Sequence, residues 1–237
     1  MIDNIEIQFT VAMPTKESIR DILNSIKNFN INWTEIFVWS SSFPDDTKDY
    51  QIFEDAINGF INNIEEEDSF IYSERKLGEH SKHALLMKHI NDEQLYVQFV
   101  CEEPNFTLEQ FHYYEQFFYN IYQSLDSKIF YKSFVGVASK RKFYRENDLM
   151  DINFYTDPFL EEDFCYRCLT PKSVYGKWHT KEQLLQAPFY SIKELANETL
   201  EIIQFEHPID ITNTQHIENM RSLQTYLSEH NTYPEDL

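Results

Sequence analysis

Cysteine and histidine are the residues whose spacing first suggests chemistry in this sequence. Cys165 and Cys168 are separated by two residues, a spacing at which two thiolates hold one edge of a zinc site or form a redox pair. A zinc site needs two further ligands, and the nearest candidate is the single His179. The segment is predicted to be a strand, which would place the two cysteines on opposite faces. We therefore expect no metal site and no cofactor, and we expect Cys101 to be a core thiol.

Two histidines, His80 and His83, would share one face of a helix and could chelate a metal there. Gly78 and the polar neighbours instead favour a solvated turn from Gly78 to His83. The other histidines are scattered, and the sequence contains no H-E-x-x-H, G-x-S-x-G, Walker A or G-x-G-x-x-G motif. We therefore expect no catalytic residues of a recognised kind.

Carboxylates are the dominant charged groups, since 40 Asp and Glu stand against 20 Lys and Arg, for a net charge of −20. The clusters that we expect to face a partner are Glu65, Glu66, Glu67 and Asp68 at a predicted helix end, and Asp45, Asp46 and Asp49 at a predicted helix start. The helix dipole disfavours acid at a helix end and favours it at a helix start. The alternative is that both clusters are solvated turns that only confer solubility.

Aromatic residues surround most of one predicted helix, beginning at Phe111. Its inner stripe is expected to be core, but Tyr113 and Tyr119 fall partly outside that stripe. Exposed tyrosine is a frequent anchor of protein interfaces. These two side chains are therefore our candidates for contacting a partner.

The only basic run, residues 140–142 with Arg145, lies beside Phe143 and Tyr144 and could hold a phosphate. One short run cannot overcome the repulsion between a protein of charge −20 and a polyanion. We therefore expect no nucleic-acid partner.

The composition indicates one soluble domain. The 237 residues can bury a full core, and no Pro-, Gly- or Ser-rich linker interrupts them, so we expect a single globular domain over residues 1–237. No stretch is apolar enough for a membrane span, and the first nine residues lack the features of a signal peptide. Three cysteines fit a reducing cytosol. The predicted location is the cytoplasm, with no membrane partner.

Hydrophobic periodicity predicts the elements. Strict alternation from Ile5 to Val11 predicts a strand, and Thr15 can cap a helix after it. Capping boxes begin further helices at Thr107 and Thr180. Other strands are predicted at 36–39, 70–72, 84–90, 95–101, 129–139, 164–169 and 200–205, and other helices at 53–64 and 214–230. Without regular βαβ alternation, the order predicts an α+β fold, with a mixed but mainly antiparallel sheet covered by amphipathic helices.

This layout resembles the bacterial polymorphic-toxin immunity proteins, and among them the immunity protein 52 family. The resemblance rests on the strand from Ile5 to Val11, the helix after Thr15, Trp33, and the late Gly176 and Trp178 before a capped helix. It covers most of the chain in layout and assigns no functional residue. It implies an α+β cytosolic protein that binds and neutralises one cognate toxin.

Charge leads to the same kind of partner by a separate argument. An acidic protein associates fastest with a basic one, and nuclease toxins are basic because they bind phosphate. The predicted function is thus that of an immunity protein that occludes the active surface of a basic bacterial toxin. The alternatives are an enzyme with an unrecognised active site and an inhibitor whose carboxylates imitate the phosphates of DNA.

Overall fold

A computed structural model describes most of the chain. The described residues are 2–12, 14–29, 35–39, 47–50, 52–62, 69–73, 83–91, 94–126, 128–136, 164–208 and 213–230. Contacts within the chain divide it into two compact units. The N-terminal unit comprises residues 6–103 and 112–129, and the C-terminal unit comprises residues 1–5, 104–111 and 130–237.

The N-terminal unit is a sheet with helices against it. Its elements in chain order are β1 (Ile2–Ala12), α1 (Lys16–Lys27), β2 (Glu35–Trp39), β3 (Thr47–Tyr50), α2 (Phe53–Asn62), β4 (Ser69–Ser73), β5 (His83–Asn91), β6 (Gln94–Phe106) and α3 (Leu108–Ser124). The strands lie in the order β3, β2, β4, β5, β6, β1. Each pair from β3 to β6 is antiparallel, with β5 and β6 joined as the predicted hairpin.

The core of this unit follows from the alternation in β1, because Ile7 and Phe9 are fully buried while Glu6 and Gln8 are half-buried. Helix α1 begins where Thr15 accepts a hydrogen bond from the Ser18 amide at 3.0 Å. Helix α3 packs on the sheet through aromatic rings. These contacts are Phe9 with Tyr122 and Phe99 with Phe118.

The C-terminal unit likewise consists of strands with helices packed against them. Its elements are β7 (Lys128–Gly136), β8 (Phe164–Thr170), α4 (Lys172–Tyr175), α5 (Lys181–Gln186), β9 (Ser191–Glu194), a short 3-10 helix (Ala196–Glu198), β10 (Leu200–Ile203) and α6 (Thr214–Glu229). The strand order is β7, β8, β10, β9, and all these pairs are antiparallel.

Helix α6 covers the strands of this unit. Its apolar face joins strand β10 in one buried cluster, which contains Cys168, Tyr175, Leu184, Ala187, Leu200, Ile202, Met220, Leu223 and Leu227. Helix α5 begins with the predicted capping box, in which Thr180 and Gln183 exchange hydrogen bonds. The Tyr226 hydroxyl donates a 2.9 Å hydrogen bond to the Gln183 carbonyl, which ties α6 to α5.

The fold class predicted from the sequence is confirmed. Helices and strands are mixed, the strand pairs described above are antiparallel, and amphipathic helices cover the sheet in each unit. That the 237 residues unfold as one cooperative domain stays a prediction, because grouping by contacts does not decide cooperativity.

One predicted helix start is wrong. Asp49 lies in strand β3, opposite Phe37 of β2, and α2 begins only at Phe53. Residues 47–50 can form a strand because β2 supplies backbone partners for them, which local propensity cannot reveal. Glu54 and Asp55 occupy the acidic first turn instead. Asp45 and Asp46 lie outside the described residues.

The predicted solvated turn is also wrong at its last residue. His83 begins β5 and is buried, and its Nε2 lies 3.3 Å from the Tyr114 hydroxyl oxygen. The aromatic ring of Phe99 lies beside it, with the ring centroids 6.4 Å apart. A histidine with a polar partner and aromatic neighbours fits a strand of the core. His80 lies outside the described residues.

Candidate partner-binding surface

The outward face of α3 is the first part of the candidate surface. Facing the sheet, Phe118 and Tyr122 are buried. The opposite face carries five residues that are related by helical spacings of three and four, namely Tyr113, Gln116, Phe117, Asn120 and Gln123. We call these five residues the α3 stripe. Phe117 is half-buried and the other four are exposed.

The α3 stripe carries no charge. Between residues 112 and 124 the one charged side chain is Glu115, which is only 2% exposed. The same side of α3 carries one exposed carboxylate, Glu109, one turn before Tyr113, so the uncharged face spans residues 113–123 and not the whole helix. Depletion of charge with enrichment in tyrosine distinguishes the cores of protein interfaces.

Tyr113 is held in place although it is 52% exposed. Its ring stacks on Phe29, with centroids 5.4 Å apart and planes inclined by 14°. Phe29 is 4% exposed and also stacks on Phe117, at 4.0 Å and 26°. The exposed ring of Tyr113 thus rests on the buried ring of Phe29. Binding of a partner to Tyr113 would therefore cost little side-chain conformational entropy.

The amides of the stripe are ordered in the same way. Gln116 Nε2 donates a 2.8 Å hydrogen bond to Asn120 Oδ1, one helical turn along. This bond fixes both side chains along the helix axis. It leaves an amide oxygen and an amide hydrogen to face outward, so the stripe offers both an acceptor and a donor.

An acidic cavity lies at the C-terminal end of α3. Its volume is about 310 Å³, and its carboxylates are Glu17 and Asp21 of α1 and Asp126 just after α3. All three carboxylates are exposed, and no Lys or Arg is among the described residues that line the cavity. We call this the acidic cavity. It is suited to a cationic group of a partner, such as a lysine or arginine side chain.

Local sequence explains why the acidic cavity forms. Pro14 follows β1, and Thr15 caps α1, whose first turn then favours an acid at Glu17 through the helix dipole. At the other side, Lys128 Nζ donates to the carbonyls of Gln123 and Leu125 at 2.9 and 2.5 Å. These bonds satisfy two carbonyl oxygens at the C-terminal end of α3, and they hold the Lys128 ammonium group there.

The stripe and the cavity are continuous. Ser124, which lines the cavity, lies within about 20° of Tyr113 around the helix axis, at 100° per residue. An uncharged, tyrosine-bearing face therefore leads directly into a group of three carboxylates. Both parts lie in the N-terminal unit, which holds 21 acidic and 9 basic residues, for a net charge of −12.

The structure places only some of the predicted contact residues on this surface. Tyr113 is the exposed aromatic residue at the N-terminal end of the stripe. Tyr119 is half-buried and lies about 120° around the helix from Tyr113, so it is beside the stripe and not on it. The side chain of Asp49 is not among those described, and Glu65, Glu66, Glu67, Asp68, Asp45 and Asp46 lie outside the described residues.

Sequence analysis missed the acidic cavity. Asp21 and Asp126 are more than a hundred residues apart, and neither belongs to a cluster in the sequence. The lack of charge at the outer positions between residues 113 and 123 was visible in the sequence and could have identified the stripe.

The cysteine pair adds no site among the described residues. Cys168 is a buried free thiol in the core of the C-terminal unit, and His179 is buried. Tyr166 is an extra residue in β8 relative to β7, which interrupts the alternation that the sequence argument assumed between Cys165 and Cys168. Within the described ranges, no three His, Cys, Asp or Glu residues come together as metal ligands.

Comparison with known proteins adds no assignment. No protein-family model matches the chain, and no curated protein matches it at a significant level. The resemblance to toxin-immunity proteins therefore stays a prediction. Among the described helices, none combines the length and the apolar character needed to cross a membrane.

Proposed function

We propose that this chain is an immunity protein that binds a cognate, basic bacterial toxin and neutralises it by occluding its active surface. One observation carries the proposal. The charge-free α3 stripe, which begins at Tyr113, leads at its other end into the acidic cavity on a unit of net charge −12. The proposed place of action is the cytoplasm, where the toxin would be met before it harms the cell.

The two parts of the surface have different roles in binding. Charges around an interface raise the association rate by steering, whereas desolvated anchors slow dissociation. Glu17, Asp21 and Asp126 would attract the toxin and receive a Lys or Arg side chain. Tyr113 would be covered by the toxin at the centre of the interface, where tyrosine contributes most.

The same charges define which partners are unsuitable. A phosphate backbone or an anionic membrane would be repelled by a protein of net charge −20. The uncharged stripe also argues against a DNA mimic at this face, because such a mimic needs carboxylates in rows. The supported partner is therefore a protein with a basic surface.

The test is capture of the partner followed by a toxicity assay. The full chain and its Tyr113→Ala variant are immobilised and exposed to a lysate of the cell that encodes the chain, and bound proteins are compared by mass spectrometry. We expect the native chain to retain a basic protein that the variant loses. That protein should stop growth when expressed alone and should be harmless when co-expressed with this chain.

A matched control separates anchoring from general loss of apolar surface. Leu185 of α5 is 44% exposed in the C-terminal unit, and Leu185→Ala should retain the toxin fully. The proposal is wrong if the protein retained is acidic, or if its expression without this chain leaves growth unaffected. Turnover of a small substrate, abolished by one carboxylate or histidine substitution, would favour the enzyme alternative.

A further inference from the structure

The C-terminal unit contains a cavity that the proposed function does not use. Its volume is about 530 Å³, within the range of about 300–1,000 Å³ that is usual for small-molecule sites. The chain before β9, the chain after β10 and one side of α6 form its walls. No Lys or Arg is among the described residues that line it.

Gln204 is the residue of this cavity that needs an explanation. It is 5% exposed, and its backbone is paired on both sides. Its amide donates to the Tyr166 carbonyl at 2.9 Å, and its carbonyl accepts from the Tyr190 amide at 3.2 Å. Its side-chain Nε2, by contrast, is buried without a hydrogen-bond partner in the described parts of the chain. A buried donor left unpaired opposes folding, so a ligand acceptor that pairs with it, once the side chain turns toward the cavity, would be bound favourably.

The rest of the lining combines aromatic surface with polar groups. Phe189, Tyr190 and Phe205 supply rings, and Tyr190 is 57% exposed. On the α6 side, Gln215 Nε2 donates to Asn219 Oδ1 at 3.0 Å. That bond leaves the Gln215 oxygen as an acceptor and the Asn219 amide hydrogens as donors. The lining can therefore accept and donate at several points around an apolar wall.

Charge narrows the class of ligand. Glu206 lines the cavity together with His207 and His216, and the described lining contains no Lys or Arg, so phosphates and carboxylates would meet a carboxylate and no permanent positive charge. A hydroxyl group both donates and accepts, which matches a lining that offers both kinds of partner. The C–H faces of a sugar ring pack on aromatic rings, and its hydroxyls satisfy amides and carboxylates.

We propose that this cavity binds a neutral saccharide, with Gln204 Nε2 donating to a hydroxyl or ring oxygen and Tyr190 packing against the sugar ring. The inference does not depend on the proposed toxin binding, because the two surfaces belong to different units and share no residue. Either one can fail while the other stands.

The experiment is calorimetric titration of the full chain with glucose, galactose, N-acetylglucosamine and their β-1,4-linked disaccharides at millimolar concentrations. Glucose 6-phosphate and adenosine serve as an anionic probe and an aromatic probe. We expect at least one neutral sugar to bind, and glucose 6-phosphate to bind more weakly than glucose. Gln204→Met, which keeps the volume and removes the donor, should weaken binding about tenfold or more.

Gln224 provides the matched control. It is also a buried glutamine, 7% exposed, with an unpartnered Oε1 in the described residues, but it does not line the cavity. Gln224→Met should leave sugar affinity unchanged. If Gln204→Met does not fold, Tyr190→Ala replaces it, since that side chain is exposed, and it should also weaken binding. The proposal is overturned if no neutral sugar binds, or if adenosine or glucose 6-phosphate binds more tightly than every neutral sugar. It is also overturned if Gln224→Met weakens sugar binding as much as Gln204→Met does.

Discussion

The two longest helices among the described residues cover the strands of their own units in the same way but present different outer faces. Helix α3 in the N-terminal unit buries Phe118 and Tyr122, and α6 in the C-terminal unit buries Leu223 and Leu227. The outer face of α6 carries Glu218, Arg221 and Glu229, all exposed. The α3 stripe carries no charge and begins at the exposed Tyr113.

This difference shows that amphipathicity alone does not explain α3. A helix that covers a sheet needs a polar outer face, and α6 meets that need with charges, as a solvated helix usually does. Helix α3 meets it with the exposed Glu109 in its first turn and then with amides and a stacked tyrosine. Since both helices solve the same packing problem, the missing charge over residues 113–123 points to a demand other than folding.

Core truncations are expected to have the largest effect, and they test whether the two units are one cooperative system. Phe118→Ala in the N-terminal unit should lower the free energy of unfolding by about 3–5 kcal/mol, and Leu223→Ala in the C-terminal unit by about 2–5 kcal/mol, because each leaves a cavity. Urea unfolding followed by circular dichroism measures both. For one cooperative domain, either variant shifts a single transition. Two separate transitions, each shifted by only one variant, would refute the single domain.

Removing the ring of Tyr113 is the next largest expected effect. Tyr113→Ala should weaken binding of the captured toxin by about 2 kcal/mol, or ~30-fold, mainly through faster dissociation. Leu185→Ala is the control, and it should leave the dissociation rate unchanged. Surface plasmon resonance measures both rates. Equal dissociation rates for Tyr113→Ala and the native chain would remove α3 from the interface.

Charge reversal should have a smaller effect, confined to association. Asp21→Lys with Asp126→Lys should slow association about tenfold at low salt and flatten its dependence on ionic strength. Glu218→Lys with Glu229→Lys makes the same change in net charge on α6, and we expect it to slow association less. Stopped-flow kinetics across a salt series distinguishes the two pairs. An equal effect of both would mean that only total charge steers the partner.

The earlier acidic candidates are tested by the same assay. Reversing Glu65, Glu66 and Glu67 together should slow association if that cluster faces the toxin. An association rate like that of the native chain would assign the steering to the acidic cavity alone.

The smallest expected effect is a pH dependence in the C-terminal unit. The hydrogen bond from Lys172, 2.8 Å long, lowers the pKa of Glu198 from its ordinary 4.5, and the same bond raises the pKa of Lys172 above 10.5. A carboxyl whose pKa is lowered by folding stabilises the fold at any pH above its pKa in the unfolded state. That contribution is lost as the pH falls through its pKa in the folded state. Lys172→Met should therefore reduce stability slightly at pH 7, and the difference should vanish as the pH falls below 4.5. Urea unfolding at several pH values measures it, and a difference that is the same at pH 7 and in acid would contradict it.

Much of the fold could be predicted from local signals. The caps at Thr15, Thr107 and Thr180 marked helix starts correctly, because a side chain that accepts from the first free amides acts over only three residues. Strand β3 could not be predicted in this way. Its four residues, Thr47–Tyr50, depend on backbone partners in β2, which the local sequence does not describe.

The candidate surface shows the same division. The sequence alone determined the net charge, the amphipathic helix with Tyr113 on its outer side, and the absence of charge at the stripe positions, since each depends on residue type and a period of 3.6 residues. Only the tertiary structure placed Phe29 beneath Tyr113 and brought Asp21 to Asp126 around one cavity. The members of these pairs are 84 and 105 residues apart along the chain, and they meet only because α1 and α3 pack in the same unit. Contacts of that range are decided by how the core packs, which no local pattern encodes.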